Sequence, residues 1–258
     1  MTTDSHADLR AAARTALACL DLTSLNDADT AADIDALCQH AQTPHGNVAA
    51  VCVWPRFVAQ ARAALPAAIK VAAVANFPDG SLDLQRALAD IAEIAQAGGD
   101  EVDIVLPYRT LLADQPTEVA EFLSEVRFAS RPLTLKVIIE SGELATPERI
   151  AQATRLALAA GADFVKTSTG KTKAGATPAA AAVMLKEIAA SGLSNAGFKA
   201  SGGVRSVADA ADYIAQTEAA LGLAALNPQR LRFGASGLLT DIKAVLAGTE
   251  SAAVTAAY

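Results

Sequence analysis

Aromatic side chains are scarce in this sequence. Phenylalanine, tryptophan and tyrosine make up 4% of the 258 residues, with one tryptophan and three tyrosines. Single-stranded nucleic acids are bound by aromatic rings on which the bases stack, so a stacking surface of that kind is excluded. Basic residues do not compensate, because 21 Lys and Arg face 28 Asp and Glu and leave a net charge of −7. We therefore expect no nucleic-acid partner, although this charge is compatible with a local basic pocket.

Long apolar segments and paired cysteines are also lacking. No run reaches the ~18 uninterrupted apolar residues that a membrane span needs, and residues 1–8 are too polar for a signal peptide. The cysteines are Cys19, Cys38 and Cys52, an odd number with spacings that fit neither a metal knuckle nor a redox pair. The sequence therefore predicts a soluble, cytoplasmic protein with reduced thiols and no membrane association.

Apolar residues, by contrast, make up 52% of the chain, so a large core can be built mainly of Ala, Val, Leu and Ile. Eight short runs rich in β-branched residues alternate with longer Ala-rich helical patterns, which is typical of parallel βαβ units. Eight such units in a chain of ~250 residues predict an α/β fold, a closed (β/α)8 TIM barrel, with an open doubly wound sheet as the alternative. We expect one domain over residues 1–258, with a flexible tail at 249–258. The predicted strands are 18–23, 48–54, 70–77, 101–108, 133–141, 163–169, 197–201 and 231–235, and the predicted helices are 28–42, 57–65, 83–97, 117–129, 147–160, 178–190, 206–221 and 238–246.

Five predicted strands carry one charged residue between two apolar neighbours. Because strand side chains alternate between two faces, the apolar neighbours would pack outward and the charged residue would point into the barrel. One interpretation is a structural network of ion pairs, since buried charges must pair or shift their pKa values. A surplus of cations favours a second interpretation, in which the pKa of one lysine falls from ~10.4 to ~7–8 and its neutral amine forms a Schiff base. The five residues are Asp21, Asp103, Lys136, Lys166 and Lys199.

Glycine-containing loops follow the last three predicted strands, at residues 167–171, 201–205 and 233–237. In barrels of this kind, phosphate groups often bind at such loops because glycine lets backbone N–H groups approach the oxygens. Each glycine alone could be a simple turn residue, but three successive loops on one face favour a phosphorylated ligand. The P-loop and dinucleotide-binding motifs are both absent.

Histidines are few and badly placed for a catalytic role. His6, His40 and His45 all lie near the amino terminus, and none follows a predicted strand after residue 100. A His-based metal site or a Ser–His–Asp triad at the barrel mouth would lack its histidine. We therefore expect no metal and no cofactor. Cys52 lies in an apolar strand and is expected to be packed, although a thiol facing the interior could be reactive.

Seven segments of the sequence, taken in order along the chain, resemble those of the deoxyribose-phosphate aldolases of the longer, enterobacterial-type branch. The likeness covers almost the whole chain, and the segment ADFVKTSTGK at 162–171 is very specific for that family. It implies a class I, Schiff-base aldolase that reversibly cleaves 2-deoxy-D-ribose 5-phosphate to D-glyceraldehyde 3-phosphate and acetaldehyde, as a cytoplasmic homodimer in deoxyribonucleotide and deoxyribose catabolism. The other matching segments are 20–26, 101–109, 135–144, 197–199, 202–205 and 232–236.

The resemblance also implies roles for single residues. Lys166 matches the lysine that forms the imine, Lys199 the lysine that depresses its pKa, and Asp103 the aspartate of the proton relay. Asp21 and Lys136 match supporting catalytic positions, and the terminal tyrosine matches one that assists proton transfer. The implied phosphate site comprises Gly170, Lys171, Gly203, Val204, Arg205, Gly234, Ser236 and Gly237, and the terminal tyrosine is Tyr258.

Two departures from the family pattern are visible near the ends of the last two predicted strands. Ala200 and Ser201 replace the Pro-Ala of some relatives, and Gly237 replaces a serine, whose lost hydroxyl a backbone N–H can replace in binding phosphate. Three other functions stay open: a Schiff-base aldolase for a different phosphosugar, a phosphosugar isomerase whose lysines only bind, and a barrel that binds a phosphosugar without catalysis. The isomerase and the binding protein would form no reducible adduct with an aldehyde.

Overall fold

Eight parallel strands close into a barrel in the computed structural model, which describes residues 3–249 of the chain. Each strand pairs with its neighbours in chain order, and the last strand closes on the first through Leu20 and Phe233. This closure confirms the TIM barrel and rules out the open sheet. The strands are β1 Leu20–Thr23, β2 Ala50–Val53, β3 Lys70–Ala75, β4 Glu101–Val105, β5 Thr134–Ile138, β6 Phe164–Lys166, β7 Gly197–Ser201 and β8 Leu231–Ala235.

Helices cover the outside of the barrel, and most begin within a few residues of the predicted positions. Two start at a proline preceded by a threonine, and both Thr146 and Thr177 accept a hydrogen bond from a backbone N–H of the first turn. No helix within residues 3–249 is long and apolar enough to cross a bilayer. The α-helices are Thr3–Ala18, Ala31–His40, Val58–Ala64, Leu84–Gln96, Tyr108–Leu112, Pro116–Ala129, Ser141–Leu144, Pro147–Ala159, Pro178–Ala190, Val207–Leu221 and Leu238–Ala247.

Several elements were not predicted, among them one long helix. Helix Thr3–Ala18 precedes the first strand and packs against Val207–Leu221 and Leu238–Ala247. Its sequence is polar at the start, and in its carboxyl-terminal part the side chains of Ala13 and Ala16 are fully buried. The helices Tyr108–Leu112 and Ser141–Leu144 follow barrel strands, and a two-stranded ribbon pairs Gln42–Thr43 with Gly46–Asn47.

Three predicted strands extend too far at their carboxyl ends. The apolar or small residues after Val105, Ile138 and Lys166 are buried, which makes them resemble strand residues in the sequence, but they lie in the loops and the first residues of short helices at the mouth of the barrel. Glu140 shows why the strand ends there, because its backbone is left-handed with φ 52°. Of the predicted tail at 249–258, all but Thr249 lies outside the described residues.

Apolar side chains on the outer faces of the strands form the layer between barrel and helices. Leu20 and Leu22 flank Asp21, and Val102 and Ile104 flank Asp103, and all four apolar side chains are buried. Removal of such surface from water stabilises the fold by ~25 cal/mol per Å². The same alternation directs the charged residue between each pair to the interior of the barrel.

Candidate active site

The five charged residues predicted to face inward meet in one cluster. Each has at most 2% of its surface exposed. Neighbouring strands place them in register, since Asp103 of β4 lies beside Lys136 of β5 and Lys166 of β6 lies beside Lys199 of β7. The sequence pattern therefore predicted correctly that these five side chains point into the barrel.

Asp103 is the centre of this cluster. Its Oδ1 accepts a hydrogen bond of 2.8 Å from the Nζ of Lys136, and its Oδ2 accepts bonds of 2.7 Å from both Lys166 and Lys199. Burial alone would raise the pKa of this carboxyl group, but the three ammonium groups hold the pKa well below its usual range. Asp103 is therefore an ionised carboxylate at neutral pH.

The three lysines differ in how many carboxylates surround them. Lys199 pairs with Asp21 as well as Asp103, and Lys136 pairs with both of these and with Glu101. Burial would lower the pKa of both lysines, but their carboxylate partners raise it above the ordinary value. Each of them therefore keeps its proton.

Lys166 has a different environment. Asp103 is its carboxylate partner within the described chain, and its side chain is 2% exposed at the carboxyl end of β6, whereas those of Lys136 and Lys199 are wholly buried. Burial lowers the pKa of Lys166, Asp103 partly opposes this, and the positive charge of Lys199 lowers it further, so the net direction is downward. Lys166 is therefore the lysine of the cluster best able to act as a neutral amine.

Two charged members of the cluster, Glu101 and Arg232, were not predicted. Glu101 is 2% exposed and Arg232 is 5% exposed, and the two form a bidentate ion pair. The signals were present in the sequence. Glu101 lies two residues before Asp103 and so shares its face of β4, and Arg232 stands between Leu231 and Phe233 in the same apolar–charged–apolar pattern as the other five.

Cys52 also faces the cluster, with its Sγ 4.0 Å from the Oδ2 of Asp103. Its side chain is fully buried, which agrees with the predicted packing. Burial, aided by the charge of Asp103, raises the pKa of this thiol to about 11. Cys52 is therefore uncharged at neutral pH and adds no charge to the site.

A cavity of about 330 Å³ opens over the carboxyl ends of β6, β7 and β8. Lys171 and Arg205 line it, and none of its described lining residues is acidic. Helix Leu238–Ala247 begins at this cavity with Gly237 as its N-cap, so its first N–H groups are not capped by a side chain. These features suit an anion. All eight residues of the predicted phosphate site line this cavity: Gly170, Lys171, Gly203, Val204, Arg205, Gly234, Ser236 and Gly237.

Gly234 separates this cavity from the lysine cluster. A Cβ atom at this position would lie 2.7 Å from the Oγ of Ser201 and 3.0 Å from the Cε of Lys199. Only glycine leaves both side chains in place. The close approach thus couples the anion cavity to the position of Lys199.

Replacement of Gly234 with alanine is therefore expected to destabilise the protein by about 1–3 kcal/mol, because the new methyl group overpacks Ser201 and Lys199. Denaturant unfolding measures this effect. Gly237→Ala is the matched control, since nothing lies within 4 Å of a Cβ there, and we expect a change within about 0.5 kcal/mol. Equal stability of the two variants would contradict the assigned packing.

Glu140 lies beside the anion cavity rather than in the lysine cluster. Its carboxylate accepts hydrogen bonds from the backbone N–H of Thr169 at 3.3 Å, from the Thr169 hydroxyl at 2.5 Å and from the Thr172 hydroxyl at 3.3 Å. Burial raises the pKa of Glu140, and the hydrogen bonds from Thr169 and Thr172 oppose that shift. Glu140 thus holds the loop that carries Gly170 and Lys171.

Other kinds of site find little support among residues 3–249. No group of three or more His, Cys, Asp or Glu side chains there is arranged to hold a metal ion. The interior carboxylates are instead occupied by lysine and arginine. His45 is exposed in the turn of the short ribbon. Tyr258, predicted to assist proton transfer, lies outside the described residues.

Comparison with known proteins gives one consistent family. The profile of the DeoC/LacD family aldolases matches residues 15–238. A deoxyribose-phosphate aldolase of Agrobacterium fabrum is 45% identical over 252 residues, which cover 96% of this chain and 97% of that protein.

Solved structures of proteins with the same family name share the fold of this chain. A protein of Toxoplasma gondii assigned as a deoxyribose-phosphate aldolase superposes with a TM-score of 0.86 at 25% identity, covering 96% of this chain and 98% of that one. A tetrameric deoxyribose phosphate aldolase of Aeropyrum pernix shares the fold, with a TM-score of 0.71 at 22% identity over 92% of this chain and 97% of its own.

Proposed function

Since the chain belongs to the DeoC/LacD aldolase family, we propose that it is a class I aldolase acting on 2-deoxy-D-ribose 5-phosphate. The products are D-glyceraldehyde 3-phosphate and acetaldehyde, and the reaction is reversible. The observation that carries this proposal is the environment of Lys166, a buried amine that has one carboxylate partner within residues 3–249, in a cluster rich in cations. A lysine in such surroundings is suited to imine chemistry.

The first steps use the neutral amine of Lys166. It attacks the aldehyde carbon C1 of the open-chain sugar, and loss of water gives a protonated imine. This imine is an electron sink, so the bond between C2 and C3 can break with its electron pair moving toward the imine nitrogen. The C3 hydroxyl loses its proton in the same step and becomes the aldehyde of D-glyceraldehyde 3-phosphate.

Asp103 and Lys199 handle the protons in this proposal. Asp103 is ionised, and through a water molecule and Lys199 it can accept the proton of the C3 hydroxyl. The enamine left on Lys166 is then protonated at C2, and hydrolysis of the resulting imine releases acetaldehyde and the free amine. Asp21 and Lys136 hold Lys199 and Asp103 in place. The family resemblance supports a role for Tyr258 in protonating the enamine.

The phosphate of the substrate is proposed to bind in the cavity beside the cluster. Lys171 and Arg205 supply positive charge, and within residues 3–249 neither has a carboxylate within 4 Å of its charged nitrogen atoms. Backbone N–H groups near Gly203 and Gly237 supply further donors. The short separation at Gly234 supports a position of the sugar between the phosphate and the lysines.

Replacement of Arg205 with alanine is expected to raise KM for 2-deoxyribose 5-phosphate by about 10- to 100-fold, since one hydrogen bond to a charged group contributes ~1.5–3 kcal/mol. The KM for unphosphorylated 2-deoxyribose should stay the same. Steady-state kinetics with both sugars measure the split. Arg155→Ala, which removes an exposed arginine paired with Glu187, is the matched control. A parallel loss with both sugars would contradict the phosphate assignment.

The cellular setting follows from the same resemblance. We propose a cytoplasmic homodimer that works in deoxyribonucleotide and deoxyribose catabolism, without metal or other cofactor. Its partners are small molecules, namely the phosphosugar and acetaldehyde.

The direct test is an assay of both products from purified protein and 2-deoxyribose 5-phosphate. We expect acetaldehyde and D-glyceraldehyde 3-phosphate in equal amounts, each measured in a separate enzyme-coupled assay. A panel of other phosphosugars tests the choice of substrate. Consumption of the sugar without acetaldehyde would instead support an isomerase, and tight binding without turnover would support a binding protein.

A further inference from the structure

Glu101 and Arg232 extend the ionic cluster toward the amino-terminal end of the barrel. Glu101 is the first residue of β4, and Arg232 is the second residue of β8. Both line a cavity at that end, far from the loops that form the anion cavity. The proposed catalytic steps use neither residue, although both are almost completely buried.

Arg232 joins two carboxylates of the cluster. Its Nη1 lies 2.6 Å from the Oδ1 of Asp21 and 3.1 Å from the Oε2 of Glu101, and its Nη2 lies 2.8 Å from the Oε1 of Glu101. Glu101 in turn pairs with Lys136, and Asp21 pairs with Lys199. Two series of ion pairs therefore connect Arg232 to Asp103, the partner of Lys166. One passes through Glu101 and Lys136, and the other passes through Asp21 and Lys199.

With Glu101 and Arg232 included, the cluster contains three carboxylates and four basic groups. The carboxylates are Asp21, Glu101 and Asp103, and the basic groups are Lys136, Lys166, Lys199 and Arg232. Lys166 is the basic group with the fewest carboxylate partners among them. The cluster is neutral when Lys166 is neutral and carries one net positive charge when Lys166 is protonated. Since an uncompensated buried charge is costly, the count favours neutral Lys166. The groups that act directly on Lys166 are Asp103, Lys199 and the uncharged thiol of Cys52, and the other charged groups of the same barrel interior are Asp21, Glu101, Lys136 and Arg232.

Arg232 differs from the lysines of the cluster because a guanidinium group does not lose its proton in proteins. We propose that Arg232, fixed by Glu101 and Asp21, is a positioning residue of the aldolase reaction proposed above. Arg232 stays positively charged and neutralises carboxylate charge on Glu101 and Asp21 at the amino-terminal end of the cluster. Too little negative charge is then left to balance a protonated Lys166, and its amine stays neutral. Arg232 does not touch Lys166 and acts through Lys136, Lys199 and Asp103.

Removal of Arg232 should therefore change the state of Lys166. With Arg232→Met, three carboxylates would face three lysines, and Lys166 would keep its proton. Kinetically, kcat/KM falls as the pH falls through the pKa of Lys166, because the protonated amine cannot attack. In this variant we expect the acid limb of the profile of kcat/KM against pH to shift to higher pH by about one unit or more. At pH values below the limb, kcat/KM should be about tenfold lower than in the wild type, and it should recover at alkaline pH.

A second substitution should reverse the effect. Glu101→Gln removes one carboxylate, so the double variant Arg232→Met/Glu101→Gln again has one more basic group than carboxylates. We expect its acid limb to return to the wild-type position. A purely structural role for Arg232 predicts the opposite, since a second buried substitution would add damage. Arg232→Lys should stay close to wild type, and Arg127→Met, which removes an arginine paired with Asp163 outside the cluster, should not move the limb.

The charge of Lys166 can also be read without catalysis. Trace acetylation at several pH values, followed by peptide mass analysis, reports the fraction of neutral amine at Lys166 in each variant. An unshifted profile in Arg232→Met, or a double variant that is no better than the single one, overturns the inference. If Arg232→Met does not fold, Glu101→Gln alone decides, because it should move the Lys166 profile to lower pH. Absence of products from the wild-type protein would refute the proposed function, whereas the acetylation profiles test the charge relation independently.

Discussion

Replacement of Lys166 with leucine is expected to lower kcat/KM for 2-deoxyribose 5-phosphate by about 10⁴-fold or more, since no other group can supply the covalent step. The expected loss is this large because Lys136 and Lys199 are held protonated by additional carboxylates. Neither can replace Lys166 as the nucleophile. The assay of acetaldehyde release over a wide range of enzyme concentrations measures the residual activity.

Folding should survive this substitution. Without Lys166, the three remaining basic groups of the cluster match its three carboxylates. Lys166→Arg keeps a positive charge but offers no neutral amine, so the same loss is expected. Lys186→Leu changes an exposed lysine of helix Pro178–Ala190 and should leave activity unchanged. Retention of more than a few per cent of the activity in either Lys166 variant would contradict the assignment of the nucleophile.

Replacement of Asp103 with asparagine is expected to lower kcat by about 10²- to 10⁴-fold, the range typical of lost acid–base catalysis. The substitution removes the carboxylate partner of Lys166, so the pKa of Lys166 should fall further and its amine should stay neutral. Imine formation should therefore continue while cleavage of the carbon–carbon bond becomes slow. Borohydride trapping of the imine, measured beside steady-state turnover, separates the two steps.

Stability must be followed in this variant, because the loss of one partner from a buried ionic group can cost ~3–5 kcal/mol. Asp163→Asn is the matched control, since Asp163 pairs with Arg127 at 2.9 Å and its side chain is 40% exposed. We expect full activity in the control. Loss of trapping together with turnover in a folded Asp103→Asn protein would show that Asp103 acts in imine formation instead.

The barrel could be predicted from the sequence because its strands are short, apolar and evenly separated by helices. The strand ends could not, because burial continues past them into the mouth. Ile139 is fully buried in a loop, and the left-handed backbone at Glu140 leaves no mark in the hydrophobic pattern. The helix Thr3–Ala18 was missed because its first residues are polar and its buried face depends on two helices near the other end of the chain.

Most of the candidate site was predictable for a simple reason. When two apolar strand neighbours pack outward against the helices, the charged residue between them must point into the barrel, and this holds for Asp103 and Lys166 alike. The pairing of the charges was not predictable, because it depends on which inward side chains share a level of the barrel. The omission of Glu101 and Arg232 shows this, since both follow the strand alternation, but the ion pair between them joins β4 to β8 across the barrel.

The most direct test of the account is covalent trapping of Lys166. The intact protein is incubated with acetaldehyde and sodium borohydride, weighed by mass spectrometry and mapped by peptides. The account predicts one added ethyl group per chain, located on Lys166 and lost in Lys166→Leu. No adduct, or equal labelling spread over many exposed lysines, would contradict Schiff-base catalysis at Lys166.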